Sequence, residues 1–132
     1  MKPPNAHAKI LIIDDEAEVR SAVRLTLEEE QNANYSFTEA SNVASGLKAL
    51  KAKKPDVVIL DLLMPGPSGY DFIQTMKKDH SMPLTRIIIL TAHDSMKNLW
   101  KAENTGVNAY HFMSKPFVGD DLRATVLGLV LL

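Results

Sequence analysis

The stretch 57-VVILDLLMPGPSG-69 joins an apolar run to one carboxylate and a loop rich in proline and glycine. Residues 57–60 are all apolar and mostly β-branched, which is typical of a strand buried on both faces of a parallel sheet. Asp61 follows this strand directly, at the edge where open α/β sheets bind ligands. Considered alone, Asp61 fits a helix N-cap or a solvated loop residue as well as it fits a functional site.

A second stretch, 9-KILIIDDEAEVR-20, has the same form and decides between these readings. Its apolar run ends in Asp14, Asp15 and Glu16. If the two strands are parallel neighbours, Asp14, Asp15 and Asp61 converge at one edge of the sheet. Two like charges 4 Å apart near a protein surface repel by about 4 kcal/mol, so such a cluster indicates a cation site. Oxygen ligands favour Mg²⁺, with Mn²⁺ or Ca²⁺ as alternatives, over zinc.

Composition limits the classes of function. At 132 residues the chain is one domain with room for a core, and its net charge of −1 offers no basic footprint for nucleic acid or for an anionic membrane. The absence of cysteine excludes thiol catalysis and disulfides. The N-terminus lacks the apolar core of a signal peptide, and no apolar run is long enough to span a bilayer. We therefore expect a cytoplasmic protein with no direct nucleic-acid or membrane binding.

The remaining patterns predict a loose lead-in over 1–8 and a single domain over 9–132 in which strands and helices alternate. Strands are predicted over 9–14, 35–41, 57–60, 86–91 and 110–115. Helices are predicted over 16–30, 43–53, 68–79 and 94–105, and from 119 onward. This alternation predicts an α/β fold, a doubly wound five-stranded parallel sheet with helices on both faces. The flavodoxin-like strand order 2-1-3-4-5 makes the first and third strands neighbours.

That order also brings a hydroxyl and an ammonium group to the acidic edge. Thr91 ends the fourth predicted strand and Lys115 ends the fifth. The carboxylates can bind a divalent metal, and one of them can act as a nucleophile. The lysine can offset the charge of an incoming phosphoryl oxygen, and the hydroxyl can donate to another. The set therefore indicates phosphoryl transfer.

Four motifs, IIDDE, LDLLMPGPSG, ILTA and MSKPF, occur in an order that resembles the receiver domain of a two-component response regulator. The resemblance covers residues 9–130 and implies that Asp61 is the phosphoacceptor. It further implies that Asp15 binds Mg²⁺ directly and that Asp14 acts mainly through a metal-bound water. Asp61 and the backbone carbonyl of Leu63 would complete the protein ligands.

The same resemblance assigns the switch. Thr91 would be the switch hydroxyl, Lys115 would pair with the phosphoryl group or with Asp61, and the bond from Lys115 to Pro116 is expected to be cis. The switch aromatic is Phe112 or Tyr110, because the distance from Gly106 to Lys115 is two residues longer than usual. Phe112 stands three residues before the lysine and is preferred, with the extra residues placed in the loop before it.

The function implied is a phosphorylation switch. The domain would accept a phosphoryl group from a histidine kinase or histidine phosphotransfer protein and control an output domain or partner. It would catalyse its own phosphorylation and dephosphorylation without being an enzyme on a separate substrate. One alternative is a receiver-fold interaction module that acts without phosphorylation, which the complete set of motif residues disfavours. A haloacid-dehalogenase-type phosphatase would need an acid where Leu63 stands.

The output surface is expected at the predicted helix 94–105, the fifth strand and the final helix. Met96, Leu99 and Trp100 give the first of these more large apolar side chains than one inward face needs. The final helix is apolar on more than one side; its second apolar stripe, expected to be exposed, consists of Leu127, Val130, Leu131 and Leu132. We expect either two-fold dimerisation through this surface or a C-terminal extension that covers it.

Overall fold

The structure, a computed structural model, describes residues 6–79, 85–92 and 109–131. Within these residues five parallel strands form one sheet in the order β2-β1-β3-β4-β5. The strands are β1 (Ala6–Ile13), β2 (Ala33–Ala40), β3 (Val57–Leu60), β4 (Arg86–Thr91) and β5 (Ala109–Ser114). The predicted flavodoxin-like order is confirmed.

Four helices lie among the described residues. They are α1 (Ala17–Glu28), α2 (Val43–Lys53), α3 (Gly69–Lys78) and α4 (Gly119–Val130). None of them is long and apolar enough to cross a membrane. The predicted helix over 94–105, with its apolar residues and His93 before it, lies outside the described residues.

Two apolar cores, one on each face of the sheet, follow from the alternation of side chains along the strands. In β1, Leu11 and Ile13 face one core, while Ile10 and Ile12 face the other. The first core is completed by α2 and α3, and the second by α1 and α4. Because β3 is buried on both faces, its four residues are all apolar, which is why the sequence pattern identified it.

Several boundaries differ from the prediction, mostly by one or two residues. β1 begins at Ala6, inside the predicted lead-in, because its backbone pairs with β2 from Ala6 opposite Ala33 onward. This pairing includes exposed residues such as His7, which an apolar pattern does not register. Helix α1 ends at Glu28 rather than at residue 30, and β5 ends at Ser114 rather than at Lys115.

A β-bulge in β5 accounts for one residue of the long spacing before Lys115. Ile87 is opposite Ala109, whereas the next residue, Ile88, is opposite His111. Tyr110 is therefore the extra residue in the strand. The expectation that the extra residues all lie in the preceding loop is wrong for this one, because a bulge leaves no mark in hydropathy.

The final helix is less exposed than predicted. Leu122, Val126 and Leu129 are buried against the second core, as the first apolar stripe requires. The second stripe was expected to be exposed, but Leu127, Val130 and Leu131 are each partly buried. Val130 packs against the second core, so the chain itself covers part of this stripe. Leu132 lies outside the described residues.

Candidate functional site

The site lies where the central strands end. Ile13 and Leu60 are the last residues of β1 and β3 and are paired in register, so Asp14 and Asp61 leave the sheet side by side. The main-chain N–H of Asp61 donates to the Ile13 carbonyl at 3.0 Å, and that of Asp14 donates to the Ala40 carbonyl at 3.1 Å. The parallel register therefore places both carboxylates at one edge, as predicted.

Lys115 joins the two carboxylates. Its main-chain N–H donates to the Thr91 carbonyl at 3.0 Å, which fixes the residue beside the end of β4. Its Nζ lies 2.8 Å from Asp14 Oδ2 and 3.3 Å from Asp61 Oδ2. A third carboxylate, Glu16, lies 3.7 Å away through Oε1. The peptide bond that follows Lys115 is cis.

Burial and charge act together on this pair of carboxylates. Asp14 and Asp61 are 3% and 5% exposed. Burial raises the pKa of Asp61 above its ordinary value of 3.8, and the charge of Asp14 raises it further against the opposing effect of Lys115. Burial lowers the pKa of Lys115, but its hydrogen bonds and ion pairs with Asp14 and Asp61 outweigh burial and raise it above 10.5. Lys115 is therefore protonated at neutral pH and holds together two groups that repel each other.

Asp14, Asp15 and Glu16 form a carboxylate cluster in which each offers an oxygen within 4.8 Å of the others. Asp61 is linked to them through the shared lysine. An all-oxygen donor set of this kind fits Mg²⁺ or Mn²⁺. Glu16 directly follows the aspartate pair, but no role was predicted for it from the sequence. Its position beside Lys115 depends on the β5 end, which the first motif alone does not reveal.

The loop after β3 is held by a close approach of α3. The N–H of Gly69 donates to the Leu62 carbonyl at 2.8 Å, and the Ser68 side chain and Asp71 form a capping box at the start of the helix. A Cβ atom on Gly69 would lie 2.4 Å from the main-chain oxygen of Asp61. Within the loop, the N–H of Leu63 approaches Asp61 Oδ1 at 3.4 Å. The glycine thus allows the helix to support the residue that carries the carboxylate.

Thr91 and Phe112 share a face of the sheet. Thr91 is fully buried, and side-chain alternation puts it on the same face as Ile89, which belongs to the first core. Phe112 is paired in register with Ile89 and packs, partly buried, against that core. The two predicted switch residues are therefore diagonal neighbours.

A groove of about 610 Å³ opens beside Lys115. It runs between the first turns of α1 and the loop that follows β5. Apolar side chains dominate its lining: Val19, Ala22, Ala92, Pro116 and Phe117. Glu16, Glu18 and Lys115 complete it at the acidic end. The groove is therefore a mainly apolar concave surface that adjoins the acidic site through Glu16 and Lys115.

The chain combines a doubly wound parallel sheet with a pair of aspartates that share one lysine at the carboxyl edge of that sheet. This combination is typical of the receiver domains of two-component signalling proteins. A family model for the response regulator receiver domain matches residues 10–127. The chain belongs to this family, and the predicted resemblance is confirmed.

Individual proteins agree with this assignment. The chain is 35% identical over 115 residues to the phosphate regulon transcriptional regulatory protein PhoB of Pseudomonas aeruginosa, which covers 87% of the chain and 48% of PhoB. It is 32% identical to the response regulator Rre1 of Synechocystis, over 92% of the chain and 51% of Rre1. The chain thus spans about half the length of these curated relatives.

Among solved structures, the response regulator TrrA of Thermotoga maritima, in complex with Mg²⁺-BeF, is similar. It has a TM-score of 0.77 and 30% identity, and the match covers 92% of this chain and 98% of TrrA. Both the fold and the family are therefore shared with a protein that was solved with magnesium.

Proposed function

We propose that the domain accepts a phosphoryl group on Asp61 in a reaction that requires a divalent metal, Mg²⁺ or Mn²⁺. The observation that carries the proposal is the bridge made by Lys115, whose Nζ lies within 3.3 Å of both Asp14 and Asp61. A buried carboxylate held beside a fixed ammonium group is a suitable nucleophile for phosphoryl transfer. Family membership supports this function.

Each side chain has a distinct task in this proposal. Asp61 attacks the phosphorus atom, so that its Oδ–P bond forms while the bond from phosphorus to the donor breaks and the donor departs with that electron pair. Lys115 stays protonated and neutralises an oxygen of the transferred group. Thr91, at the end of β4, donates its hydroxyl hydrogen to another oxygen of the group.

Asp14, Asp15 and Asp61, with the carbonyl of Leu63, would hold the metal, and Glu16 is close enough to contribute. When bound, the metal supplies positive charge against the oxygens of the phosphoryl group. Lys115 now lies 2.8 Å from Asp14. A metal held by Asp14 would compete with this ion pair, and Lys115 would remain available to Asp61 and to the phosphoryl group.

The phosphodonor in this proposal is a histidine kinase or a histidine phosphotransfer protein. The groove beside Lys115 supports it, because its apolar walls adjoin Lys115 and Glu16, which lie next to Asp14 and Asp61 in the acidic site. A donor helix lying in the groove would bring a phosphohistidine to Asp61. Phosphorylation would then control an output domain or partner through the face that carries Thr91 and Phe112; a dimer through β5 and α4 is one form of that output.

Intact-mass spectrometry tests the proposal directly. With acetyl phosphate and Mg²⁺ the chain should gain one phosphoryl group, and chelation of the metal should abolish the gain. Asp61→Asn should remain unlabelled, while the matched control Asp121→Asn, an exposed residue in the first turn of α4, should be labelled like the wild type. Equal labelling of Asp61→Asn would disprove the assignment. An unlabelled wild type would favour the interaction module that acts without phosphorylation.

A further inference from the structure

Arg20, in the second turn of α1, reaches back to the acidic site. Its Nη1 donates to the main-chain oxygen of Asp14 at 2.7 Å. Its Nε donates to Glu39 Oε1 on β2 at 3.0 Å. The side chain of Arg20 is only 17% exposed, so its guanidinium is enclosed between helix, strand and loop. Arg20 thus joins three elements immediately behind the carboxylates.

The oxygen that Arg20 binds belongs to the peptide between Asp14 and Asp15. A peptide unit is planar, so a hydrogen bond to its oxygen fixes the direction in which the next residue leaves the chain. The side chain of Asp14 is already held by Lys115 at 2.8 Å and by the N–H of Glu16 at 2.9 Å. Asp15 is exposed, and its direction follows from the backbone.

The start of α1 makes this support necessary. Glu16 is the N-cap residue, but its side chain forms no capping hydrogen bond. The turn that carries Asp15 is therefore fixed by the bond from the Glu16 N–H to the Asp14 carboxylate and by the bond from Arg20 to the Asp14 main-chain oxygen, rather than by a side-chain cap from Glu16. Glu39 in turn holds the guanidinium in the orientation that reaches Asp14.

Charge alone would argue against an arginine here. A positive side chain close to a cation site lowers the affinity of that site for the cation. A benefit must offset this cost if the site is to bind metal well. The benefit offered by the geometry is orientation, since Arg20 binds the Asp14–Asp15 peptide and so directs Asp15 toward the metal site.

We propose that Arg20 is a positioning residue for the divalent metal, acting through the Asp14–Asp15 peptide, with Glu39 as its anchor. This inference rests on the proposed function, because it concerns the same metal site. It assigns a role in metal binding to the link between α1 and β2, remote from the phosphoacceptor strand.

Binding of Mn²⁺ to the 132-residue chain can be monitored by electron paramagnetic resonance of the free ion. This measurement distinguishes the positioning effect of Arg20 from the effect of its charge. Arg20→Gln removes a positive charge and would tighten binding if charge alone mattered. Positioning predicts the opposite, a dissociation constant raised about tenfold, the size of effect typical of groups that orient metal ligands. Arg20→Lys keeps the charge but lacks the planar fork, and should also weaken binding.

Arg24→Gln is the matched control. Arg24 is the next arginine on the same helix. It forms ion pairs with Glu39 at 3.5 Å and with Glu28 at 3.9 Å, and its guanidinium lies over the ring of Phe37. Its loss should change the constant by less than about twofold, because exposed charges are screened. Thermal unfolding without metal checks that each variant is folded.

The outcomes are distinct. Weaker Mn²⁺ binding in both Arg20 variants, with Arg24→Gln near the wild type, supports the role of Arg20. Wild-type affinity in a folded Arg20→Gln or Arg20→Lys variant overturns it and leaves the proposed function intact. A wild-type chain that binds no Mn²⁺ overturns both the positioning role and the metal-dependent function.

Discussion

The carboxylate of Asp61 is 5% exposed and lies beside the buried Asp14, an arrangement that opposes folding while it serves the proposed chemistry. Burial and Asp14 raise the pKa of Asp61 above 3.8 even though Lys115 counteracts them. At neutral pH the charged form is therefore less favoured in the folded chain than in the unfolded one. We expect Asp61→Asn to unfold at a higher temperature than the wild type in metal-free buffer.

The dependence of this difference on pH has a defined sign. The stabilisation that comes from a protonated Asp61 is complete below 3.8, the ordinary pKa, and is lost as the pH rises through the raised folded-state pKa. The advantage of the variant should therefore grow as the pH rises from about 4 toward neutrality. Calorimetry with a chelator present measures it, with Asp121→Asn as the control. A variant less stable than the wild type at the upper pH would contradict the expectation.

At the same scale, the sequence identified the residues whose position follows from strand ends. Asp14 and Asp61 each come directly after an apolar run, and Lys115 ends the last predicted strand, so the predicted sheet order was enough to place the three together. Glu16 and Arg20 received no role. Glu16 matters because its side chain lies beside Lys115, and Arg20 because its side chain reaches the Asp14 carbonyl. A pattern of residues along the sequence does not reveal such contacts.

Among the elements, the contact between α3 and the loop after β3 depends on one missing methyl group. Gly69→Ala would place a Cβ 2.4 Å from the Asp61 main-chain oxygen and 2.8 Å from Leu62 Cα. Backbone atoms cannot move aside as a flexible side chain can, so we expect a loss of about 1–3 kcal/mol in the free energy of unfolding. Urea denaturation measures this loss, and weaker phosphorylation should accompany it.

Gly128→Ala is the matched control within α4. A Cβ at Gly128 would meet nothing within 4 Å, and the residue is exposed in the helix. This variant should gain about 0.5–1 kcal/mol, because alanine loses less backbone entropy in a helix than glycine does. If the two substitutions changed stability by the same amount, helix propensity rather than the close approach of α3 would explain the Gly69 result.

The bounds of a strand or helix could be predicted where buried residues recur in a regular pattern. They could not be predicted where main-chain hydrogen bonding determines them. β3 and β4 were predicted with their observed bounds, since β3 is apolar throughout and β4 has four apolar residues, 87–90, between Arg86 and Thr91. The early start of β1 and the bulge at Tyr110 arise from pairing between strands, in which exposed residues take part as readily as buried ones. The sequence shows which side chains are apolar, but it does not show which residues of neighbouring strands are paired.

For the molecule as a whole, the strand order followed from the alternation of strands and helices and from right-handed crossovers. The apolar C-terminal stripe was misjudged because its burial depends on how α4 lies against the sheet. Leu127 and Leu131 are partly buried within the chain itself, so the stripe gives less support to a dimer than the sequence suggested. The output face must therefore be argued from the residues that couple to Asp61.

That coupling is the basis of a final prediction about the switch. Thr91 is fully buried at the end of β4, while Phe112 is partly buried two register positions back on the same face. A phosphoryl group on Asp61 would attract the Thr91 hydroxyl and open space toward which Phe112 can turn. To shift the active population from about 1% to about 99%, phosphorylation must favour that state by about 5.5 kcal/mol.

Amide chemical shifts of β5, recorded with and without acetyl phosphate and Mg²⁺, measure the response. Thr91→Ala should accept the phosphoryl group but lose most of the shift change over residues 109–114. Thr91→Ser keeps the hydroxyl and should retain that change, which separates the role of the hydroxyl from that of the methyl group in packing. The same shifts in phosphorylated Thr91→Ala as in the phosphorylated wild type would contradict this role of the hydroxyl. Asp61 would then be coupled to β5 by another route. Lys115 offers one, because its N–H donates to the main-chain oxygen of residue 91, which the substitution leaves in place.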